Sequence, residues 1–560
     1  MRLIQHSLRG LCTASSTTAT ATVGVTTEVV LALGSNVGDR AGNMHRAVRE
    51  LRHRGVLEVG SLVTSSMYET APLYVTDQPK FLNAAVRGLT RHSPRELLRS
   101  VKSIEVDLGR NLHGGVRYGP RPIDVDIIFY GNGAVKLPEL DDAPGGGAVE
   151  IPHPRYRERG FVLAPLDDLL PWPARQGSRP PMPTRAALGL KDDVHVKSTG
   201  DNLGYCRGIT ERLVEARAAY ELGGFAASPD LRRVFALPQP DRRSDALVWP
   251  LGKQTYIMGI LNVTPDSFSD GGKHAAASSA VSRAHAMASE GADFIDIGGQ
   301  STRPGSTPLG ADEEWDRIAP VLEELAQNPP LLPEDHACHP GKAVPISVDT
   351  FHSTVARRAA SFGCAMLNDV SGGVPWAMRT SPEDGEDALP SFDESPASVA
   401  GTSDDVPLAY AIMHMRGTPA TMQSDDLTRY PCNDVAGGVG DELAVLCANA
   451  MHTHGIEPWR FLLDPGIGFA KTAEGNWDII KRLPHIRERL TYGAIRNAPF
   501  LLGPSRKGFL GQLTGRPAPE RDMATAAAIV ACVQAGADIV RVHNVGAARD
   551  AVLVADRVWR

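Results

Sequence analysis

The feature that most restricts the fold is an alternation of short apolar segments with helix-like stretches from residue 256 to the end of the chain. Eight apolar segments can be counted, and polar or amphipathic stretches long enough for helices separate them. Eight β/α units in about 300 residues predict a (β/α)8 TIM barrel. The predicted strands are 257–263, 293–297, 345–348, 365–370, 408–414, 460–463, 499–502 and 538–542.

The first 170 residues follow a different order. An apolar strand runs from Val29 into the turn Gly34-Ser35-Asn36, and residues 40–54 have helical spacing. Strand-like runs at 56–67 and 81–89 follow, then a helix that begins at Ser93-Pro94 and a strand at 123–129. The order β-α-β-β-α-β predicts an α+β ferredoxin-like N-terminal domain in front of the barrel.

Four segments are therefore expected in the 560 residues: a transit peptide at 1–27, a first domain at 28–171, a linker at 172–250 and the barrel at 251–560. The linker prediction is based on abundant Pro, Arg and Gly, although residues 209–222 have helical spacing within it. Residues 376–406 are acidic and rich in Pro and Ser, which predicts a surface insertion.

The N-terminus and the overall composition indicate location and partners. No acidic residue precedes Glu28, and Arg2 and Arg9 lie among apolar and hydroxyl residues, which is typical of a mitochondrial matrix transit peptide; a plastid or cytoplasmic location is the alternative. The chain has 58 Lys and Arg against 65 Asp and Glu, a net charge of −7, which argues against nucleic acid as a partner. No apolar run reaches the roughly 18 residues of a membrane span, so no membrane partner is expected. Seven scattered cysteines with no C-x-x-C pair argue against disulfide frameworks.

Paired acids in the first domain indicate phosphate chemistry. Strand alternation places Asp124 and Asp126 side by side on one face. Hard oxygen ligands of this kind suit Mg²⁺ shared with a nucleotide, although a solvated strand face is the simpler reading of an isolated D-x-D. The magnesium interpretation is favoured because the same domain contains several side chains that can donate hydrogen bonds to phosphate. These are Arg110, Arg117, Arg121, His153 and Arg159.

Four segments of this domain, in order along the chain, closely resemble 6-hydroxymethyl-7,8-dihydropterin pyrophosphokinases. The resembling segments are Leu-Gly-Ser-Asn (33–36), Asp-Gln-Pro-Lys-Phe-Leu-Asn-Ala-Ala-Val (77–86), Gly-Pro-Arg-Pro-Ile-Asp-Val-Asp (119–126) and Ile-Pro-His-Pro-Arg (151–155) with Arg-Gly-Phe (159–161). The resemblance implies that Asp124 and Asp126 hold two Mg²⁺ and that Arg110 and Arg121 are catalytic. It assigns ATP to Glu105, Arg110, Arg117, Arg121, His153 and Arg159, and the pterin to Thr70, Leu73, Phe81, Asn83 and Phe161.

The arginine-rich loop departs from the family pattern, because Asn-Leu-His-Gly-Gly-Val separates Arg110 from Arg117 and a second arginine is missing or replaced by His113. We expect slower transfer as a result. No G-x-x-x-x-G-K-[ST] segment is present in this region, which argues against a P-loop kinase.

Polar residues in the second domain follow the predicted strands, at the end where barrel active sites lie. Asp349, Asn368 and Asp464 can read the amide and amino edge of a heterocycle, and Arg303, Arg541 and His543 can supply cations for phosphate. His414, by contrast, is expected to be a structural histidine. Together these types predict a planar, phosphorylated heterocycle as ligand.

The second domain resembles dihydropteroate synthases along its whole length. The resembling segments are Met-Gly-Ile-Leu-Asn-Val-Thr-Pro-Asp-Ser-Phe-Ser-Asp-Gly-Gly (258–272), Asp-Ile-Gly-Gly-Gln-Ser-Thr-Arg-Pro-Gly (296–305), Leu-Asp-Pro-Gly-Ile-Gly-Phe (463–469) and Ser-Arg-Lys (505–507). The resemblance implies that pterin contacts Thr302, Asp349, Asn368, Asp464, Phe469, Gly503 and Lys507. It places diphosphate at Asn262, Arg303, Arg541 and His543, with Asn262 on Mg²⁺, and p-aminobenzoate at Thr302, Pro304, Phe469 and Ser505. Lys507 and Arg541 are the implied catalytic residues.

Gln300 stands where many bacterial members of this family have Glu, and no ligand contact is expected for it. Because the implied product of the first domain is the substrate of the second, we expect a bifunctional enzyme with Mg²⁺ as cofactor and ATP as co-substrate. The resemblance also implies a homo-oligomer formed through the barrel. Two rivals stay open: a barrel that transfers methyl groups from a methylated folate, and a degenerate pterin-binding regulator.

Overall fold

The computed structural model of the chain describes residues 26–111, 118–138, 149–170, 207–225, 230–241, 244–264, 272–303, 305–374, 395–402, 407–490 and 493–560. Most of the predicted transit peptide lies outside these residues, as do residues 172–206 of the predicted linker and most of the acidic segment 376–406. Two predicted site residues, Arg117 and Pro304, also lie outside them. No helix in the described ranges is long and apolar enough to cross a membrane.

The N-terminal domain is an antiparallel sheet with helices on both faces. Its elements are β1 (Thr27–Ser35), α1 (Arg40–His53), β2 (Val63–Thr64), β3 (Met67–Thr70), β4 (Phe81–Thr90), α2 (Pro94–Asp107), β5 (Asp124–Tyr130), β6 (Val135–Leu137), β7 (Val149–Ile151), α3 (Gly160–Asp168), α4 (Arg207–Leu222), β8 (Arg232–Leu237) and β9 (Leu247–Pro250). The strand order β5-β1-β4-β3 is antiparallel throughout. This order and its two crossover helices confirm the ferredoxin-like prediction.

Local sequence chemistry starts the second crossover helix where the sequence predicts it. The Ser93 side chain accepts from the backbone of Glu96, and the Glu96 side chain accepts in return from the backbone of Ser93. Such a capping box contributes about 1 kcal/mol. Helices α1 and α2 then pack on one face of the sheet, while α3 lies against the other.

The described part of the predicted linker is not a linker. Helix α4 packs against α3, and β8 pairs with β3 and then with β9, so residues 232–250 extend the first sheet by two strands. Apolar side chains explain this, because Val234, Phe235 and Trp249 are all buried. Pro238 and Pro240, which contributed to the linker prediction, lie between the two strands of this hairpin.

The second domain is a ring of eight parallel strands. Its strands are β10 (Tyr256–Asn262), β11 (Phe294–Gly298), β12 (Ile346–Asp349), β13 (Met366–Asp369), β14 (Ala409–Met413), β15 (Phe461–Asp464), β16 (Leu501–Leu502) and β17 (Ile539–Val542). Its helices are α5 (Gly272–Ser289), α6 (Ala311–Gln327), α7 (Ser353–Ser361), α8 (Pro396–Thr402), α9 (Asp425–Thr428), α10 (Val435–His454), α11 (Ala473–Lys481), α12 (Leu483–Arg489), α13 (Gly493–Arg496), α14 (Gly508–Thr514), α15 (Asp522–Gln534) and α16 (Val545–Trp559).

The barrel closes on itself. Seven strand pairs run from β15 through β10 to β17 and β16, and a bridge between Leu463 and Phe500 joins the two ends. All eight predicted strands are present, with their ends shifted by one or two residues. The TIM barrel prediction is therefore confirmed.

The two domains share one core. Trp249, on the last strand of the first sheet, is fully buried against Tyr256 and Phe294, which start β10 and β11. Because both residues lie at the N-terminal ends of barrel strands, the β8–β9 hairpin covers the end of the barrel opposite the predicted site. A buried carboxylate, Glu457, also joins the domains: it lies 3.4 Å from Arg52 of α1 and 3.1 Å from Arg460.

Candidate functional site

Strand register places the first candidate site. Gly34 of β1 pairs with Asn83 of β4 on one side and with Asp124 of β5 on the other, and Ala32 pairs with Asp126 in the next row of the same face. Because Gly34 has no side chain, the space between Asn83 and Asp124 stays open. The candidate pterin residue and the carboxylate pair therefore lie on one face of the sheet, in neighbouring rows near its β5 edge.

Two arginines neutralise Asp124. Arg121 Nη1 lies 2.8 Å from Asp124 Oδ2, and Arg110 donates to Oδ1 of the same carboxylate. Burial alone would raise the pKa of Asp124, but Lys102, Arg110 and Arg121 lower it to about 2. Burial and the neighbouring Asp124 raise the pKa of Asp126 instead. The charge on Asp124 thus opposes ionisation of Asp126, and a cation between the two carboxylates would favour it.

Glu105 was expected to contact ATP, and the structure gives it another environment. Its carboxylate is fully buried in α2, where Oε1 accepts from the Val125 backbone at 2.7 Å and from Lys102 Nζ at 2.8 Å. Arg110 Nη1 lies 2.8 Å from its other oxygen. Glu105 therefore holds strand β5 and Arg110 beside the carboxylate pair, and its contact with ATP stays a prediction.

The predicted pterin residues of this domain include an amide and two aromatic rings. Asn83 Nδ2 donates to Thr70 Oγ1 at 2.9 Å, which orients the amide. The guanidinium of Arg121 is 6.0 Å from the ring centre of Phe81, and that of Arg159 is 5.7 Å from the ring centre of Phe161. Both rings are partly exposed and available to a flat ligand. Leu73 is 59% exposed on the loop after β3.

His153 lies beside the carboxylate strand, because its backbone donates to Ile128 at 3.3 Å. Burial lowers the pKa of this imidazole, and Arg159 adds to the effect while Asp126 opposes it. The lowered pKa favours the neutral, hydrogen-bonding form of this imidazole. Its role toward ATP stays a prediction.

The sequence reasoning missed Asn36, which ties three loops together. Asn36 Oδ1 accepts from the Arg121 backbone at 2.8 Å, and the Asn36 backbone donates to the Arg121 carbonyl at 3.1 Å. Its Nδ2 donates to Gln78 Oε1 at 3.0 Å. Asn36 thereby fixes the main chain that carries Arg121. The Gly-Ser-Asn turn was the available signal, since Asn side chains often bond to nearby loops.

The second candidate site lies at the carboxyl ends of the barrel strands. Asp296 Oδ2 accepts from Asn368 Nδ2 at 2.9 Å and from Arg541 Nε at 2.6 Å, while Arg541 Nη2 donates to Asp349 at 2.7 Å. Four residues from strands β11, β12, β13 and β17 thus form one polar network. Burial raises the pKa of Asp349 to about 7 even though Arg541 lies beside it.

Asp296 is the second residue that sequence reasoning missed. Its carboxylate is fully buried, and Oδ1 has no hydrogen-bond partner among the described residues. An unpaired buried acceptor is costly, so a ligand donor is the expected partner. Asp296 begins the Asp-Ile-Gly-Gly-Gln segment and lies inside β11. Ligand contacts are predicted for polar residues that follow the strands, and so the sequence does not single out Asp296.

Lys507 extends across the mouth of the barrel. Its Nζ lies 4.0 Å from the ring centre of Phe469, and burial together with Arg541 lowers its pKa to about 8. Gly468 has a φ of +84°, and a Cβ built on it would lie 2.8 Å from Lys507 Cδ. Asp464, the last residue of β15, accepts from the Gly466 backbone at 2.7 Å. Glycine at 468 therefore gives the lysine room to pass.

Ser505 and His543 form a pair on neighbouring loops, with Ser505 Oγ 2.9 Å from His543 Nδ1. We expected His543 to be a cation, and it is neutral: burial and the nearby Arg541 lower its pKa to about 3. A neutral imidazole still offers one N–H donor. Between Ser505 and Lys507, Arg506 has a φ of +58° and turns away to form a bidentate pair with Asp522 at 2.7 and 2.9 Å.

The remaining predicted residues lie on the same rim. Asn262 ends β10 opposite Gly298, and a Cβ on Gly503 would lie 3.9 Å from the Arg541 side chain. Thr302 and the exposed Arg303 lie on the loop after β11. The Gly305 backbone N–H of this loop donates to the Pro419 carbonyl, with 2.9 Å between the two atoms. His414, in contrast, is fully buried between Glu442 and Lys471 at 2.9 and 3.1 Å. Burial and Lys471 lower its pKa to about 4, in keeping with a structural role.

Comparison with known proteins agrees with this geometry in both halves. A profile described as 7,8-dihydro-6-hydroxymethylpterin-pyrophosphokinase (HPPK) matches residues 30–171, and one described as Pterin binding enzyme matches residues 258–543. The mitochondrial folate synthesis bifunctional protein of Arabidopsis thaliana is 43% identical over 538 residues, which are 95% of this chain and 83% of the relative. Its counterpart in Pisum sativum is 41% identical over 536 residues, 95% of this chain and 90% of the relative.

Solved structures agree on the fold. One described as HPPK-DHPS in complex with substrates has a TM-score of 0.67 at 19% identity and covers 96% of this chain and 100% of that chain. HPPK-DHPS of Plasmodium falciparum with pteroate has a TM-score of 0.64 at 20% identity, over 95% of this chain and 96% of that chain. The two-domain arrangement is therefore shared with proteins of distant sequence.

Proposed function

The chain belongs to the family of bifunctional folate-synthesis proteins, and on that premise we propose how its residues divide two reactions. The first domain transfers diphosphate from ATP to 6-hydroxymethyl-7,8-dihydropterin and releases AMP. The barrel condenses the pterin diphosphate with p-aminobenzoate, giving 7,8-dihydropteroate and diphosphate. The register that places Asn83, Gly34 and Asp124 in one row carries the assignment of the first reaction, because it brings a pterin-reading amide beside a phosphate-handling acid.

In the first domain, Asp124 and Asp126 would hold Mg²⁺. The fit rests on the chemistry of the donors, because two neighbouring carboxylates on one face of the sheet offer the hard oxygen ligands that Mg²⁺ prefers. Among the described residues no three His, Cys, Asp or Glu side chains cluster as a metal site, so phosphate oxygens and water would complete the shell. Bound Mg²⁺ would neutralise charge on the transferring phosphates.

Arg110 and Arg121 are the catalytic residues of this proposal. Both neutralise Asp124 in the structure, so both guanidiniums lie where ATP phosphates would approach the carboxylate pair. Arg117, His153 and Arg159 would bind ATP. Phe81 and Phe161 would enclose the pterin ring, with Thr70 and Leu73 beside it, while Asn83 bonds to the ring's edge. Glu105 is assigned a positioning role through Arg110.

In the barrel, Asp349, Asn368 and Asp464 would read the pterin edge, and Lys507 would lie against the ring beside Phe469, Gly503 and Thr302. Arg303, Arg541, neutral His543 and Asn262 would meet the diphosphate, with Asn262 on Mg²⁺. As the bond to diphosphate lengthens, negative charge gathers on the leaving oxygens, and Arg541 lies at the end of β17 to receive it. The amine of p-aminobenzoate, held by Thr302, Pro304, Phe469 and Ser505, then attacks the methylene carbon.

One assay tests both halves. Purified protein receives hydroxymethyl-dihydropterin, ATP, Mg²⁺ and labelled p-aminobenzoate, and AMP and labelled dihydropteroate are followed in the same tube. Both products are expected, and omission of Mg²⁺ should suppress AMP formation. AMP without dihydropteroate would reject the barrel assignment, and an absence of AMP would reject the kinase assignment.

We also propose a mitochondrial location, supported by the acid-free N-terminus and by the mitochondrial names of two plant relatives. A reporter fused to residues 1–30 should enter mitochondria, and a diffuse cytosolic signal would reject the proposal.

A homo-oligomer through the barrel is proposed on the apolar surface of α16, where Val554 and Val558 are 62% and 63% exposed. Light scattering of the purified chain and of Val558→Glu would test it.

A further inference from the structure

Gln300, which the sequence marks as a departure from bacterial relatives, is bonded to a buried acid. It follows β11, and its Nε2 donates to Oε2 of Glu314, in the first turn of α6, at 2.6 Å. Gln300 is 8% exposed and Glu314 is fully buried. Neither side chain has a role in the two reactions as assigned above, so the pair requires its own explanation.

The pair holds together the two ends of the loop formed by segment 301–308, and we call these paired ends the neck of the loop. Gln300 Oε1 accepts from the Leu309 backbone at 3.3 Å, so one amide side chain contacts both ends of segment 301–308. His352 Nε2 bonds to the Leu309 carbonyl at 2.9 Å from the neighbouring loop. Segment 301–308 carries Thr302 and Arg303, and its position therefore depends on the neck.

Glu314 extends the connection to the strand that carries Asp349. Thr350 Oγ1, one residue beyond Asp349, donates to Glu314 Oε2 at 3.2 Å. The other ionisable groups around Glu314 are Asp349, His352 and Arg317, and Arg317 Nη1 donates to the Gly299 carbonyl at 3.1 Å. The acid thus joins the loop neck, helix α6 and the end of β12.

We propose that Gln300 and Glu314 are positioning residues of the second reaction, which hold the neck of segment 301–308 so that Thr302 meets p-aminobenzoate. The inference rests on the proposed assignment of that segment to the p-aminobenzoate side. Neither residue touches the reacting atoms. Their effect reaches the reaction through the loop, so it should appear in the KM for p-aminobenzoate.

The chemistry of the pair gives a test that a general packing role would not meet. An amide donor bonds to Glu314 whether the acid is neutral or ionised, so the neck stays closed at any pH near neutrality. Glutamate at position 300 would place two carboxylates in contact, and they would bond only while sharing a proton. Burial already raises the pKa of Glu314 to about 8, so the shared proton is retained at low pH and lost as the pH rises.

The experiment measures KM for p-aminobenzoate and for supplied pterin diphosphate between pH 6.5 and 9 in the full chain. For Gln300→Glu we expect a KM for p-aminobenzoate within about twofold of the wild type at pH 6.5 and about tenfold above it at pH 9, the size of one lost charge-assisted hydrogen bond. Gln300→Met should raise this KM at every pH. The KM for pterin diphosphate should rise less than this in either variant, because Asn262, Arg541 and His543 meet the diphosphate from other parts of the rim. Glu313→Gln, an exposed acid on the same turn, is the matched control and should behave as wild type.

Three results would overturn the proposal: a Gln300→Glu profile parallel to the wild type, an unchanged KM in Gln300→Met, or equal effects on both substrates. If Gln300→Glu does not fold, as judged by its AMP formation and circular dichroism, the Gln300→Met result alone decides. Thr302→Ala separates the inference from its premise. No effect of Thr302→Ala on the KM for p-aminobenzoate would reject the loop assignment, whereas an effect there without one in the Gln300 variants would reject only the positioning pair.

Discussion

Replacement of Gly468 by alanine should inactivate the barrel while leaving its fold intact. The new Cβ would lie 2.8 Å from Lys507 Cδ and 3.3 Å from Lys507 Cε. Carbon atoms pack at about 3.5–4.0 Å, so the lysine stem has to retreat by roughly 0.7 Å or more. That shift moves the ammonium off the Phe469 ring, which it now faces at 4.0 Å. Misplacement of this size costs up to about a hundredfold in rate, and we expect a loss of about 10- to 100-fold in kcat/KM for dihydropteroate formation.

A matched glycine separates this clash from backbone strain. Gly252 has a φ of +81°, against +84° for Gly468, and nothing lies within 4 Å of a Cβ built on it. Both alanine variants should lose about 1 kcal/mol of stability from left-handed backbone, a fall of about 2 °C in Tm. Only Gly468→Ala should lose synthase activity on supplied pterin diphosphate, and both should form AMP at the wild-type rate. Equal synthase rates in the two variants would refute the assigned position of Lys507.

Three further outcomes are expected. Asp126→Ala should abolish AMP formation and leave dihydropteroate formation from supplied diphosphate unchanged; loss of both activities would contradict separate sites. Burial and nearby cations hold the pKa of His543 at about 3, against 6.5 unfolded, so its contribution to stability is complete above about pH 6.5 and is lost as the pH falls toward 3. Chemical unfolding between pH 6.5 and 4 should therefore show a shallower decline for His543→Asn than for the wild type. Glu457→Ala leaves buried Arg460 without its carboxylate and should cost about 3–5 kcal/mol; calorimetry should show it, with both activities lost at one lowered temperature.

Periodicity predicted both folds, because each depends on local patterns that repeat along the chain. Eight apolar segments specified eight parallel strands, and alternation around Asp124 and Asp126 specified which face the acids share. Ser93-Pro94 marked the start of α2 through capping chemistry that is complete within four residues. These are short-range features, and no knowledge of distant contacts is needed to read them.

The missed features depend on contacts between distant residues. Asn36 is important because of Arg121, which lies 85 positions away, and Asp296 because of Arg541, which lies 245 away. The lowered pKa of His543 has a similar origin, because its main cause is burial, which depends on how distant segments pack around the imidazole. A sequence shows that such residues are polar, but it does not show which of them become neighbours.

The β8–β9 hairpin has a consequence for anyone who separates the two enzymes. The strands belong to the first sheet by hydrogen bonding, and Trp249 belongs to the barrel by packing. A protein cut before residue 232 leaves the kinase half without two strands, and one cut after residue 250 leaves Tyr256 and Phe294 facing water at the barrel's base. No single cleavage point therefore yields two complete parts. Two independent genes could encode these enzymes only after the sequence around this hairpin had changed in both halves.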